Sequence, residues 1–214
     1  MGKVQQGILD GFVGKVGTVV GSFWKGKPTM RAYKRTVRDA RTNEQAQVRQ
    51  HFAIIARVAS GFERAFNIGL ANAAREHRMT TGNYFAQRNW DVFTLVNGIF
   101  EPDWSKLVIS EGSLFPENPG EITGDDGCVV DIELDRTLYG NQKITDKTWL
   151  VVYSHQTNTV YMDWNHRYNA EHIRIQAPRY EEDNDCSVYV FGEQDGMFSN
   201  SVYVGDATFK PYVE

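Results

Sequence analysis

One segment of the sequence has the spacing of a phosphate-binding loop. Residues 21–27 read GSFWKGK and match the first seven positions of the P-loop pattern. The eighth position is Pro28, where magnesium coordination needs a Ser or Thr hydroxyl. The residues that follow are strand-like, whereas a P-loop continues into a helix whose N-terminus binds phosphate. Phe23 and Trp24 would also keep phosphate away from the backbone, so the sequence predicts no nucleotide hydrolysis here.

A cluster of basic and aromatic residues overlaps this segment and could bind nucleic acid. Cations neutralise phosphates and aromatic rings stack on bases, and the rings here are Trp24 and Tyr33. The basic members are Arg31, Lys34, Arg35, Arg38 and Arg41. The alternative is a charged strand and helix start that face solvent, and no known nucleic-acid fold motif accompanies the cluster. Nucleic-acid binding is therefore the second hypothesis for this chain.

The other polar residues predict no cofactor, no metal site and no enzymatic activity. His166 and His172 lack the third and fourth ligands of a zinc site, and residues 181–185 lack the glycine and distal glutamate of an EF-hand loop. Cys128 and Cys186 are interpreted as small buried hydrophobic side chains, because an intracellular chain keeps its thiols reduced. No nucleophile motif or carboxylate pair marks an active site.

The segment 7–34 is both glycine-rich and apolar. It begins before these candidate residues and includes several of them. Its six glycines would weaken an ordinary core strand, yet it has more apolar residues than a linker: Phe12, Val16, Val19, Val20, Phe23, Trp24 and Met30. Val16–Trp24 and Thr29–Val37 are predicted to form a hairpin around Lys25–Pro28. Such a ribbon usually lies closely against another surface, so we expect it to bind a partner.

Two helices are predicted after the hairpin. Residues 42–45 have the capping-box pattern, and apolar residues then recur every three or four positions. The first helix is predicted over Asn43–Phe66, with Gly61 and Gly69 as places where it could break or bend. The second is predicted over Thr81–Val96, because its aromatic residues share one face at helical spacing.

After Pro102 the apolar residues alternate with a period of two, which is typical of strands. Seven short strands are predicted near Leu107–Ser110, Cys128–Leu134, Trp149–Ser154, Val160–Trp164, His172–Gln176, Ser187–Phe191 and Ser201–Ala207. This number and spacing favour an immunoglobulin- or fibronectin-like β-sandwich. The predicted class is α+β, with a glycine-rich hairpin arm over residues 1–41, a helical segment over 42–100 and a β-sandwich domain over 101–214.

The net charge of −4 conceals a strong asymmetry along the chain. Residues 1–100 contain 15 Lys and Arg against 6 Asp and Glu, whereas residues 101–214 contain 8 against 21. A basic first half could meet an anionic partner, or the basic and acidic halves of neighbouring copies could attract one another. Two solvated faces of different sign explain the asymmetry equally well. No run of 18 apolar residues and no secretory signal occurs, which predicts no membrane association and an intracellular location.

A set of motifs in the first half resembles a family of uncharacterised bacterial and prophage proteins. The motifs lie at Gly14–Gly21, at Trp24–Gly26, at Arg31 and at the series Thr42, Gln45, Arg49 and Phe52. Members of this domain of unknown function are similar in opening with GKVGxVVGSxWKG. The resemblance extends to Ser199–Tyr203 and departs at Arg38–Arg41, where relatives often have an Asn- or Pro-containing turn. It implies no activity.

These features together predict a non-enzymatic structural or assembly protein, such as a phage virion component. The arm is expected to dock on a neighbouring copy or a protein partner by strand addition. The expected partner contacts are Phe12, Phe23, Trp24 and Tyr33, with Arg31, Lys34 and Arg35 as charged support. The expected location is the cytoplasm, or the virion if a phage encodes the protein.

Overall fold

The computed structural model describes residues 2–3, 12–24, 26–36, 42–125, 129–135, 137–167, 172–176 and 184–209. Helices and a larger number of strands occur in these residues, which confirms the predicted α+β class. The chain divides into two compact units, residues 1–45 and residues 46–214. None of the helices in the described part is long and apolar enough to cross a membrane.

The first unit contains a four-stranded antiparallel sheet. Its strands are β1 (Gly2–Lys3), β2 (Gly14–Val16), β3 (Val19–Trp24) and β4 (Lys27–Ala32), in the order β1-β4-β3-β2. The predicted hairpin corresponds to β3 and β4, and Gly26 between them has a φ of +74°, which suits glycine. The second strand ends at Ala32 and not at Val37, because β3 begins at Val19 and pairs no further along β4. Val37 itself lies outside the described residues.

The first predicted helix is α1 (Asn43–Gly69). Its predicted cap is present, since the Gln45 backbone N–H donates to Thr42 Oγ1 over 3.2 Å. The helix continues through Gly61, where a Cβ atom would lie only 2.7 Å from Asn158 Oδ1. Glycine at this position therefore allows α1 to approach the turn that contains Asn158.

The second predicted helix is wrong in its C-terminal half. The chain forms α2 (Ala71–Glu76) and α3 (Thr81–Arg88), then a 3₁₀ turn, and then the hairpin of β5 (Phe93–Val96) and β6 (Ile99–Pro102). Asn97 and Gly98 have φ values of 51° and 85°, as a type I′ hairpin turn requires. The helical spacing of aromatic residues up to Val96 is therefore coincidental beyond α3.

The rest of the chain forms two antiparallel sheets. Their strands are β7 (Pro119–Asp125), β8 (Val129–Leu134), β9 (Lys147–Ser154), β10 (Thr159–His166), β11 (His172–Gln176), β12 (Asn184–Gln194), β13 (Met197–Phe198) and β14 (Val202–Phe209). The smaller sheet has the order β11-β8-β7. The larger has the order β10-β9-β12-β13, and β14 pairs with β12 as well.

Six of the seven predicted strands lie where the sequence places them. Leu107–Ser110 is not a strand, because its backbone bonds to side chains: Val108 N donates to Asn89 Oδ1 and Ile109 N to Ser201 Oγ. The sequence pattern missed β7, because Pro116–Gly120 has turn-like composition although the strand begins at Pro119.

Strands β9 and β12 are buried on both faces and connect three layers. One face, which includes Val152 and Val188, packs on the smaller sheet, and Cys186 lies fully buried in the same cluster. The other face, which includes Tyr153 and Tyr189, packs on α1. The prediction of a buried thiol is thus confirmed for Cys186, whereas Cys128 lies outside the described residues.

Two helical glycines differ in the space around them, which predicts opposite effects of substitution by alanine. At Gly61 a new Cβ would lie 2.7 Å from Asn158 Oδ1 and 2.9 Å from the Tyr153 ring, so Gly61→Ala should destabilise the protein. At Gly82 the nearest atom is Phe66 Cζ at 3.9 Å, so Gly82→Ala should be neutral or stabilise by up to about 1 kcal/mol. Urea unfolding measures the change in the free energy of unfolding for both variants. Equal effects of the two substitutions would contradict the close approach at Gly61.

Candidate functional site

The strand register of the first unit divides its sheet into two chemically different faces. Opposite residues of an antiparallel pair share a face, and successive residues alternate between faces. One face, the apolar face, consists of Phe12, Val16, Val19, Phe23, Pro28, Met30 and Ala32. The other, the cationic face, consists of Lys15, Val20, Trp24, Lys27, Arg31 and Tyr33.

The apolar face is partly exposed. Val16 is 56% exposed and Phe23 is 49% exposed, whereas Phe12, Val19, Pro28 and Met30 are half-buried. Phe12 packs over Gly21, where a Cβ would lie 2.6 Å from the Phe12 ring, so only glycine leaves room for this contact. Among the described residues, no charged side chain belongs to this face. A sheet face of this composition is normally covered by another layer.

The cationic face is arranged by interactions within the sheet. Lys15 Nζ lies 3.7 Å from the centre of the Tyr33 ring, a cation–π contact. The hydroxyls of Ser22 and Thr29 face one another at 2.9 Å on the same face. Because Lys15, Lys27 and Arg31, the basic residues that pair within β2–β4, all lie on this side, the paired strands separate their apolar surface from their charge.

The expected partner residues therefore do not form a single surface. Phe12 and Phe23 lie on the apolar face, whereas Trp24, Tyr33 and Arg31 lie on the cationic face. Two further expected contacts follow β4 and are exposed: Lys34 and Arg35. Arg38 and Arg41, expected for nucleic-acid binding, lie outside the described residues.

Several members of both faces were not among the expected partner contacts. These are Val16, Val19, Met30 and Ala32 on the apolar face, and Lys15 and Lys27 on the cationic face. Alternation along β3 and β4 was the available signal. It becomes informative only once the pairing register is known, because a slip of one residue would exchange the two faces.

The histidines singled out in the sequence contact different partners. His166 Nδ1 lies 3.0 Å from Thr145 O, and His172 Nδ1 lies 3.4 Å from Asp131 Oδ1. No group of three or more His, Cys, Asp or Glu within the described ranges could hold a metal ion. Residues 181–183 of the acidic segment lie outside those ranges.

A polar cleft of about 580 Å³ lies beside α2 and α3. Tyr84 donates its hydroxyl proton to Glu111 Oε2 over 3.1 Å, and Arg88 Nε donates to the same oxygen over 3.0 Å. Burial and the Glu111 carboxylate raise the pKa of Tyr84. The carboxylate is thus engaged by two donors, so this geometry does not favour a role for Glu111 as a general base.

A buried ion pair joins two loops at the edge of the sheets. Arg167 Nη2 lies 2.6 and 2.5 Å from the two carboxylate oxygens of Glu117, and each side chain is only 3% exposed. Burial raises the pKa of Glu117, and the Arg167 guanidinium opposes that shift. Arg167 also donates its backbone N–H to Asp146 O. The pair is enclosed by protein, and we interpret it as a structural link.

Comparison with known proteins gives one match that covers most of the chain. A family model described as a family of unknown function, DUF6266, matches residues 11–205, which confirms the resemblance to an uncharacterised domain family. No curated protein matches the chain.

Two solved structures show weak likenesses. One, titled "Myokine structure", has a TM-score of 0.34 and 11% identity, and the alignment covers 46% of this chain and 98% of that one. The other is the fn3 domain of human collagen alpha-1(XX), with a TM-score of 0.35 and 14% identity over 49% of this chain and 89% of that one. TM-scores this low support no argument about this protein.

The buried ion pair predicts strong non-additivity between its partners. Glu117→Leu or Arg167→Met alone leaves a buried charge without its partner and should cost about 3–5 kcal/mol. The double variant leaves neither charge, so its loss should be much smaller than the sum. Urea unfolding of the four proteins in this cycle gives the coupling energy. Losses that simply add would show that the two side chains are energetically independent.

Proposed function

We propose that this chain, which belongs to the DUF6266 family of unknown function, is a non-enzymatic assembly protein. It docks on another copy or on a protein partner through the apolar face of its N-terminal sheet. The observation that supports this proposal is that Val16 and Phe23 remain exposed on that face, whose paired strand residues carry no charge. A structural component of a phage or phage-like particle is the role we infer, with the virion or the cytoplasm as its location.

Covering the apolar face would release substantial free energy. Fully burying a Val or Phe side chain is worth about 1.5–3 kcal/mol relative to leaving it exposed. Val16 and Phe23 are each about half exposed, so together they supply on the order of 2–3 kcal/mol on docking. Part of this is offset by the entropy lost on association. Docking is therefore favourable where the partner's surface is apolar and fits the pleated face.

The edge of the sheet offers a second means of attachment. β2 is an edge strand, since β3 is its one neighbour in the described part of the sheet. Its outward N–H and C=O groups can pair with a strand from a partner. Strand addition at β2 would extend the apolar face rather than cover it, so both contacts can occur in one assembly.

The second unit fits the role of a scaffold. Within the described residues, seven of its strands have five residues or more and are distributed over two sheets that share a buried cluster. This arrangement supports a fibronectin-like sandwich as the finer description of the fold. In the proposed assembly the sandwich and the helices packed on it form the body, and the N-terminal arm makes the contact.

The cationic face favours nucleic-acid binding as a second candidate function. It combines Lys27 and Arg31 with the exposed ring of Trp24 on one side of a sheet. Single-stranded nucleic acids bind to such combinations of cations and stacking platforms. Lys34 and Arg35 follow on the same chain and extend the positive charge.

Two valines of the arm provide a matched test of the assembly function. Val16→Asp places a carboxylate on the apolar face and should reduce association of the protein at least about tenfold. Val13→Asp introduces the same charge at an exposed position three residues earlier, on the opposite side, and should leave association unchanged. Sedimentation velocity over a concentration series measures both. Equal behaviour of the two variants would show that the apolar face is not the docking surface.

Charge removal on the cationic face tests the second candidate. If assembly is the function, single-stranded DNA should bind no more tightly than non-specific complexes, with Kd of about 10⁻⁴–10⁻⁶ M at physiological salt. The double variant Lys27→Gln with Arg31→Gln should then weaken DNA binding no more than the charge-matched double variant Arg64→Gln with Arg78→Gln. Fluorescence anisotropy measures the affinities. Tighter binding that only the first pair abolishes would favour the nucleic-acid function.

A further inference from the structure

We infer that the β5–β6 hairpin is held on α1 by a pH-sensitive latch, and that protonation of His51 opens it. The latch is the contact between His51 and the aromatic rings of the hairpin and of the turn before it. All of these residues belong to the second unit. The inference is therefore independent of the docking surface proposed on the first unit.

The hairpin depends on side-chain packing for its position. Within the described residues β5 and β6 pair only with each other, and a two-stranded hairpin on its own is at best marginally stable in water. Phe93 at its base is 3% exposed and belongs to the buried cluster that includes α1. The tip is exposed at Leu95, Val96 and Ile99. Packing at the base, and not a larger sheet, therefore holds the hairpin in place.

His51 of α1 lies within this base and is 7% exposed. The Phe100 ring stacks on it with a centroid distance of 4.3 Å and an interplanar angle of 1°. The Trp90 ring lies 4.0 Å away and the Phe93 ring 6.3 Å away. One imidazole thus contacts rings from both strands of the hairpin and from the turn that precedes it.

One ring nitrogen of His51 is buried without a hydrogen bond. Its Nε2 atom has no partner among the described residues. A neutral imidazole can leave one nitrogen unprotonated, whereas an imidazolium carries an N–H donor at both. A charged ring would therefore bury a donor that has no acceptor, which is costly. Aromatic faces attract a cation, but a ring stacked on the imidazole face offers no acceptor in its plane.

The charges around His51 do not offset this cost. Asp91, in the 3₁₀ turn Trp90–Val92, and the Trp90 backbone carbonyl favour the protonated ring, but burial outweighs both and lowers the pKa of His51. β5 contains no charged residue, and Glu101 of β6 alternates with Phe100 and so lies on the other face of the hairpin. The neighbouring positions on α1, which are 47, 48, 54 and 55, are uncharged.

Acid therefore favours the open hairpin. In the open state water solvates Nε2–H, and His51 has an ordinary histidine pKa of about 6.5. Because the pKa of His51 is lower in the closed state, the closed hairpin is most stable above that value and loses stability as the pH falls through it. Opening exposes Phe93 and Phe100 in addition to the exposed tip. Acid thus uncovers apolar surface beside α1.

His155 provides a matched control within the same unit, because it is half-buried but has a partner. Its Nε2 lies 3.0 Å from Ser187 Oγ, which donates to Asp206 Oδ1 over 2.8 Å. Burial lowers the pKa of His155 as well. Its ring contacts are Trp104 and Tyr153, and neither belongs to the hairpin. Titration of His155 should therefore leave the latch closed.

Hydrogen exchange of the full-length protein at pH 7 and pH 5 tests the latch. Protection is expressed as the intrinsic exchange rate at each pH divided by the observed rate, which removes the pH dependence of the exchange chemistry. In the wild type, protection of β5 and β6 should fall several-fold at pH 5, with a limit of about 25-fold set by the ordinary histidine pKa. His51→Phe keeps an aromatic ring that cannot be protonated and should abolish the fall. His155→Gln should retain it, and amides of α1 around Phe62 should stay protected in all three proteins.

The outcomes that overturn the latch are distinct. An equal fall in the wild type and in His51→Phe would show that another group controls the hairpin, and constant protection in the wild type would show that acid does not open it. An equal loss around Phe62 would show unfolding of the whole unit instead. NMR titration of the His51 imidazole in the wild type needs no variant and decides the matter if His51→Phe does not fold. A midpoint below about 6.5 is expected, and a midpoint at or above that value contradicts release on protonation.

Discussion

The architecture of the second unit depends on two neighbouring strands that are buried on both faces. β9 and β12 contribute side chains alternately to a cluster with the smaller sheet and to a cluster with α1. On the helical side the Phe62 ring stacks on Tyr153 at 4.4 Å, and Tyr189 donates its hydroxyl proton to Trp104 O. Because one pair of strands supplies both interfaces, neither outer layer can be displaced without disturbing the other.

The first unit has the opposite property, since its sheet has an apolar face that remains exposed. Among its described residues Gly21 on the apolar face and Thr29 on the cationic face are buried, whereas Val16 and Phe23 remain about half exposed. A sheet in this state has the composition of an interior layer without the second layer that normally covers it. The contrast between the two units is the physical basis for the proposal that the first unit carries the docking surface.

The sequence predicted local features more successfully than pairings. The cap at Thr42 and six strands of the sandwich follow from capping and alternation, which depend on near neighbours. The helix predicted to Val96 is wrong because Asn97 and Gly98 form a hairpin turn, and the sequence contains that turn signal. The two faces of the arm could not be predicted, because they depend on which residue of β4 lies opposite each residue of β3.

The double burial of β9 and β12 also has a consequence for how the protein folds. These strands pair residues that are more than 30 positions apart in sequence, and Asn158 bonds to the backbone of Arg57 across 101 positions. Non-local pairings of this kind raise contact order and slow folding, whereas α1 and the β5–β6 hairpin depend on local contacts. Until β9 and β12 pair with each other, their exposed backbone groups can pair with the wrong strand. The protein is therefore most prone to aggregation during synthesis before β9 and β12 are buried, and their burial ends that stage.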